Sequence, residues 1–270
     1  MHKAYPLLCT WLESRIGLTL GPDRAYLVQA RLTPVLVEFD LPDLQTLVQR
    51  LSRAPNQALE AAVIEAMSTH ETLWFRDGYP FELLARHLIP TLTESRQRLR
   101  FWSAACSTGQ EAYSMAMVVA EFRARHPTLA SVQDEIVGTD VAALSIDAAR
   151  RARFVAPGGL RGLAQRHQQQ FFHQVPAGFE LDQAVRSRTR FLVHNLLDRP
   201  EALGKFDVIF LRNVLIYMNE DVQRVVLERV LSALAPGGYL LLGAVERLPR
   251  SFPKLSPLLI EDHVVYRAAN

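Results

Sequence analysis

An α/β protein with a mainly parallel sheet, preceded by an all-α region, is what three features of this sequence predict. From about residue 100 onward, short apolar runs alternate with helical patterns, as expected for parallel strands joined by helical crossovers. Before about residue 75 no strand-like alternation occurs, and apolar residues recur at helical spacing. Residues 101–117, FWSAACSTGQEAYSMAM, pass from an apolar run through Ser107, Thr108 and Gly109 into a helical pattern at Glu111. A strand, a loop of small residues and a helix start, in that order, let a nucleotide-like cofactor approach the backbone closely.

In the helical region, Leu7, Leu8, Trp11, Leu12 and Ile16 share one helical face, and Gly17 ends the pattern. A second helix follows Gly21-Pro22, with Tyr26, Leu27, Ala30 and Leu32 expected on its inner side and a kink expected at Pro34. Leu41-Pro42-Asp43 opens a third helix carrying Leu44, Leu47, Val48 and Leu51, and residues 58–67 form a fourth. The division expected is a helical domain over 1–70, a linker and connecting helix over 71–98, and the α/β domain over 99–270.

In the α/β domain, strands are expected at 99–104, 135–139, 189–193, 206–211, 238–243 and near 262–267, with helices at 111–125, 142–152 and 220–234. The second strand ends in Asp140. An acid there commonly holds a ribose hydroxyl pair, although it could equally cap the following helix. Likewise Glu111 could simply be a first-turn acid favoured by the helix dipole. The loop lacks G-x-G-x-x-G, so the site reads as Rossmann-like without pointing to NAD. Arg212-Asn213, directly after Val-Ile-Phe-Leu, sits at a strand's C-terminal end, where open α/β sheets bind ligands. The last two strands read as a terminal hairpin-type pair, an antiparallel edge typical of class I methyltransferases. Residues 154–188 break the rhythm, are too long for a plain loop, and read as an inserted subdomain with Phe171-Phe172 in its core. Cys106 reads as a small buried filler.

Composition narrows the function. A net charge of +2 does not by itself argue for nucleic-acid binding. No apolar run is long enough for a membrane span. Cys9 and Cys106 alone make neither a disulfide framework nor a zinc site, and fit a reducing cytoplasm. The eight histidines show no H-E-x-x-H spacing, so no metal is expected. Basic charge concentrates between residues 145 and 190, with eight arginines against Asp147, Glu180 and Asp182. That face is either solvated or fits an acidic partner helix.

Four ordered blocks resemble the CheR family, S-adenosylmethionine-dependent methyltransferases that esterify glutamates of chemotaxis receptors. They are HETLWFRD at 70–77, ACSTGQEAYS at 105–114, GTD at 138–140 and FDVIFLRNVLIY at 206–217. The first and last are specific to the family. The resemblance implies a class I methyltransferase domain with an inserted subdomain after an all-α domain. It also implies roles by position. Thr72 and Arg76, with His70 where the family often has Asn, would close over the cofactor. Glu111 would meet the methionine amino group and Asp140 the ribose. Asn195 and Leu196 would lie beside the adenine, and Arg212 and Asn213 beside the methionine part. Arg76 and Tyr217 would act at the reacting methyl and carboxylate. The chain departs from the family at Gln110 and Ala112, and its insertion turn, QVPAGF at 174–179, carries only Gly178. A member that does not depend on a receptor tether peptide is therefore implied.

The function implied is methyl transfer to glutamates of a chemoreceptor cytoplasmic helical domain, by a cytoplasmic monomer that neither binds nucleic acid nor inserts in a membrane. Two rivals stand beside it: a non-catalytic docking module that senses the cofactor or its product, and a methyltransferase for RNA or a small molecule.

Overall fold

The computed structural model describes residues 4–53, 56–129, 134–156, 158–249, 252 and 255–269. Four helices come first: α1 (Ala4–Ile16), α2 (Ala25–Glu38), α3 (Leu44–Arg53) and α4 (Gln57–Met67). They enclose a core of Leu8, Leu12, Val28, Leu32, Leu47, Leu59 and Val63. Side chains satisfy two helix starts: Asp43 accepts the Thr46 N–H at 2.7 Å, and Asn56 accepts that of Leu59 at 3.1 Å. The buried stripe of α2 is Val28, Leu32 and Val35, whereas Tyr26 and Ala30 are exposed. With apolar residues at both 27 and 28, two stripes were compatible with helical spacing, and packing against α4 selects the second. Helix α2 continues through Pro34.

A connecting helix follows in three parts: α5 (Tyr79–Leu83), a π-helical turn over Leu84–Leu88, and α6 (Ile89–Thr93). The wide turn falls just ahead of Pro90, which has no N–H to give to the preceding turn and crowds its carbonyl.

The main sheet contains β1 (Arg100–Ala104), β2 (Glu135–Asp140), β6 (Thr189–Val193), β7 (Phe206–Leu211), β8 (Leu234–Leu242), β9 (Leu255–Ile260) and β10 (His263–Ala268). Their order is β6-β2-β1-β7-β8-β10-β9, with β10 antiparallel to both neighbours and the rest parallel. The expected edge pairing of β8 with β10 is present, but the hairpin is β9–β10, turning at Glu261-Asp262. Strand β9 escaped the sequence reading because Ser256-Pro257 interrupts its apolar pattern. Helices α7 (Gln110–Arg125), α8 (Ala143–Arg151) and α11 (Glu220–Ser232) are the crossovers. Alternation along the strands feeds two cores: Phe101, Val208 and Phe210 face one layer, and Trp102, Ile209 and Leu211 the other.

Between β2 and β6 lies the insertion: β3 (Arg153–Phe154), α9 (Gln165–Phe171), β4 (Phe172–Val175), β5 (Gly178–Leu181) and α10 (Gln183–Arg186). Its strands form a separate antiparallel sheet in the order β3-β5-β4. Several arginines of this basic stretch are paired: within the insertion Arg153 and Arg186 with Glu180 and Arg161 with Glu71, and flanking it Arg150 of α8 with Asp147 and Arg190 of β6 with Glu135. Among the described residues no helix is long and apolar enough to cross a membrane.

Candidate cofactor site

Strand order reverses between β1 and β7, and the C-terminal ends of these strands open onto one cavity. It encloses about 1030 Å³ including its solvent-open part, and three regions line it: the helical domain, the linker and the strand ends.

The β1–α7 loop curls tightly. Ala105, Ser107 and Gly109 all have positive φ, at 70°, 50° and 94°. Such conformations persist only when the surroundings over-determine them. Here Cys106 donates its N–H to the Thr139 carbonyl at 2.8 Å, and Ser107 donates its own to Asp140 Oδ2 at 2.8 Å. Gly109 is required twice over, since a Cβ would come within 2.9 Å of Ala149 Cβ. Asp140 also accepts the Ala142 N–H at 3.0 Å, so its carboxylate bridges both loops while still lining the cavity. Cys106 is buried, and burial pushes its thiol well up, so it stays protonated.

Glu111 projects from the first turn of α7. It accepts hydrogen bonds from Ser103 Oγ at 2.7 Å and Arg212 Nη1 at 2.8 Å. Burial pushes its carboxyl up, and the Arg212 charge opposes that shift. Arg212, at the end of β7, is fully buried. Its Nη2 donates to the Arg76 carbonyl at 2.9 Å and to Asp77 Oδ2 at 2.7 Å, and its ring neighbours are Phe81 and Phe210. Its Nε is buried and has no hydrogen-bond partner among the described residues. Asn213 follows with φ 57°.

The linker is pinned by Trp74. Its ring meets Phe154 and Phe172 edge-on at 4.9 and 5.3 Å, and its Nε1–H donates to the Gly159 carbonyl at 2.7 Å. Phe75 and Asp77 have positive φ on either side of Arg76. This turn sets Arg76 on the cavity wall together with Thr72.

The helical domain closes the other side. Ile16, Leu18 and Met67 line the cavity. Thr19 donates its N–H to the Tyr217 carbonyl at 2.9 Å, and the Asn195 side chain donates to the Arg15 carbonyl at 2.5 Å. Gly17, at φ 74°, packs so closely that a Cβ would lie 2.7 Å from Val222.

Thr72, Arg76, Glu111, Asp140, Asn195, Leu196, Arg212, Asn213 and Tyr217 therefore all line one cavity. His70 does not. Its ring bonds to Ser145 Oγ at 2.8 Å and to the Glu65 carbonyl at 3.0 Å, and only its backbone carbonyl reaches the loop, accepting from Ser107 Oγ. Tyr217 is 37% exposed at the mouth. The sequence reading missed Ser103, Ile16, Leu18 and Glu246. Glu246 had one signal, an acid just after the C-terminal end of an apolar strand.

A family model described as "CheR methyltransferase, SAM binding domain" matches residues 70–261. "Chemotaxis protein methyltransferase Cher2" of Pseudomonas putida is 42% identical over 241 residues, covering 88% of this chain and 88% of that protein. "Chemotaxis protein methyltransferase 1" of Vibrio cholerae is 38% identical over 267 residues, covering 98% and 96%. The protein of the same name from Pseudomonas aeruginosa is 39% identical over 267 residues, covering 98% and 97%.

Proposed function

The chain belongs to the CheR family of S-adenosylmethionine-dependent methyltransferases, and from that premise we propose that it esterifies glutamate side chains on the cytoplasmic helical domain of a chemoreceptor. The products are glutamate methyl esters and S-adenosylhomocysteine. The observation that carries the reading is the convergence of Glu111, Asp140, Arg212 and Asn213 on a single cavity at the sheet's switch point.

The cavity's chemistry fits the cofactor. A buried acid paired with a cation on the cavity wall suits an amino acid's charged end. Asp140 suits a ribose, and Leu196, Ile16, Leu18 and Met67 offer apolar surface to a base. In this reading Glu111 and Arg212 hold the methionine end, Asp140 the ribose, Asn195 and Leu196 the adenine, and Asn213 and Thr72 complete the wall. His70 acts on the loop rather than on the cofactor. When bound, S-adenosylmethionine supplies an electrophilic methyl on a sulfonium.

An ionised glutamate is its own nucleophile, so the protein needs no general base. What it must provide is alignment and partial removal of water from the carboxylate. Arg76 can hold that carboxylate by a planar two-bond contact, and Tyr217 at the mouth can orient it through its hydroxyl. Neutralising a glutamate relieves charge repulsion in a helical bundle and so can bias a signalling equilibrium. The helical domain and the insertion are the surfaces we assign to receptor contact. We assign the monomeric state and the cytoplasm on the same reading, together with the absence of a nucleic-acid substrate. The pairing of arginines in and beside the insertion with acids supports that last point.

The test is methyl transfer from labelled cofactor to the receptor cytoplasmic fragments of the source organism. Alkali-labile label released as methanol is expected, and it is expected to vanish with Arg76→Ala. Base-stable label, or label on RNA alone, would sink the glutamate reading.

A further inference from the structure

We propose that Glu246 is a positioning residue for methyl transfer, a built-in anion that holds the loop carrying Arg212, Asn213 and Tyr217. Glu246 lies just beyond β8, three residues after Gly243, and is buried. Its backbone turns back, with its N–H donating to the Gly243 carbonyl at 2.9 Å. The turn aims the side chain at the loop that leaves β7. Its Oε2 accepts the N–H groups of Asn213 and Gly243, each at 2.8 Å. Its Oε1 accepts those of Val214 at 3.0 Å, Leu215 at 2.8 Å and Ile216 at 3.3 Å.

Four consecutive backbone N–H groups thus converge on one carboxylate, with a fifth from the strand end. Convergent N–H groups of this kind form an anion-binding concavity. In this protein the anion is a side chain of the same chain, so the concavity is permanently filled. The consequence is local. Asn213 is held in its left-handed conformation, Arg212 before it stays directed at Glu111, and Tyr217 after it stays at the mouth. Without the carboxylate, those N–H groups would be left to seek other partners, and the loop would have to be ordered when the cofactor binds. Glu246 itself is not on the cavity wall, so it acts through the loop and not on the reacting atoms.

The fit leaves no spare room. A Cβ on Gly243 would lie 2.5 Å from Glu246 Oε2 and 3.0 Å from the Asn213 nitrogen. An amide at 246 would be nearly isosteric, but its NH₂ would face N–H donors.

This inference rests on the cofactor occupying the cavity described above. The experiment is calorimetric titration of the full chain with S-adenosylhomocysteine, well below the unfolding temperature. Three variants are compared: E246Q, G243A and, as a comparator, V265A. Val265, on β10, is buried in the core and does not line the cavity. Glu246→Gln is expected to weaken binding about tenfold or more, since several charge-assisted bonds lose their acceptor. Gly243→Ala keeps every polar group yet displaces the carboxylate, and is expected to weaken binding in the same way. It carries the test should E246Q fail to fold. Val265→Ala should lower the unfolding midpoint and leave affinity within about twofold of wild type. E246Q or G243A binding as tightly as wild type would overturn the proposal. So would a loss of affinity in V265A equal to theirs, because the effect would then be general destabilisation. Failure of the wild type to bind would instead overturn the cofactor reading, and the proposal with it.

Discussion

Arg212→Met tests whether the centre of the site is a coupled charge network or a set of independent contacts. Arg212 is fully buried and makes three charge-assisted bonds, to Glu111, Asp77 and the Arg76 carbonyl. The contact with Asp77 contributes least, because that side chain is about one-third exposed and screened by water. The contact with Glu111 dominates. Methionine fills much of the same volume but leaves Glu111 with Ser103 Oγ as its one hydrogen-bond partner among the described residues and the more distant Arg76 charge. Removing one member of a buried pair costs about 3–5 kcal/mol, since the remaining charge is uncompensated. For a domain of this size each kcal/mol lowers the unfolding midpoint by roughly 2–4 °C.

The variant R212M should therefore unfold well below wild type and lose most of its affinity for S-adenosylhomocysteine. Adding Glu111→Gln removes the stranded charge. The double variant should recover part of the lost stability, while affinity stays low because neither charged partner of the ligand's methionine end remains. Urea unfolding of wild type, both singles and the double closes a thermodynamic cycle. Contacting groups of this kind couple by about 0.5–3 kcal/mol. Stability changes that add to within about 0.5 kcal/mol would refute the network and leave Arg212 as three separate bonds.

Further outcomes follow from other contacts. Gly17→Val places a branched side chain where a Cβ already meets Val222 at 2.7 Å, in a left-handed backbone. It should cost about 1–3 kcal/mol in urea unfolding and weaken cofactor binding by lifting Ile16 and Leu18 from the cavity. Trp74→Phe keeps the ring contacts but strands the Gly159 carbonyl, so a loss of about 1–3 kcal/mol is expected. His167 stacks on Phe75 at 4.5 Å, and burial holds its pKa below the ordinary histidine value, with Glu121 opposing and Arg166 reinforcing that shift. The unfolded chain then binds the proton more tightly than the folded one. The His167 contribution to stability is thus complete above the ordinary value and lost as pH falls from there through the folded value. His167→Phe should flatten the fall in unfolding midpoint between about pH 7 and 5. An unchanged slope would exclude His167 as its source.

Much of this architecture can be read from local pattern. The β1–α7 loop is legible because Ser107, Thr108 and Gly109 interrupt an apolar strand just before a helical pattern, and close approach demands small residues there. Asp140 and Arg212-Asn213 are legible because polar residues directly after buried strands stand at the sheet's C-terminal edge. The phase of α2 was not legible, since adjacent apolar residues at 27 and 28 fit two helical faces until α4 packs against one. Nor was β9, where Ser256-Pro257 hides the strand pattern and only pairing with β10 supplies it.

What local pattern cannot show is how the cavity is closed. Arg212 meets partners 101 and 135 residues away in sequence, and Asn195 bonds to a carbonyl 180 residues away. Glu246 reaches back more than thirty residues to the loop it holds. None of these contacts has a periodicity, and each joins elements far apart in sequence. The walls of the cavity come from three regions, the helical domain, the linker and the strand ends, so its shape depends on how they dock and not on any one of them. A cofactor that touches all three favours the docked arrangement by the free energy of its binding. Anything that shifts the helical domain must therefore change cofactor affinity by the same coupling. On the proposed function, receptor helices seated on that domain have a direct route to the methyl donor, through the contacts of residues 15–19 with Asn195 and Tyr217.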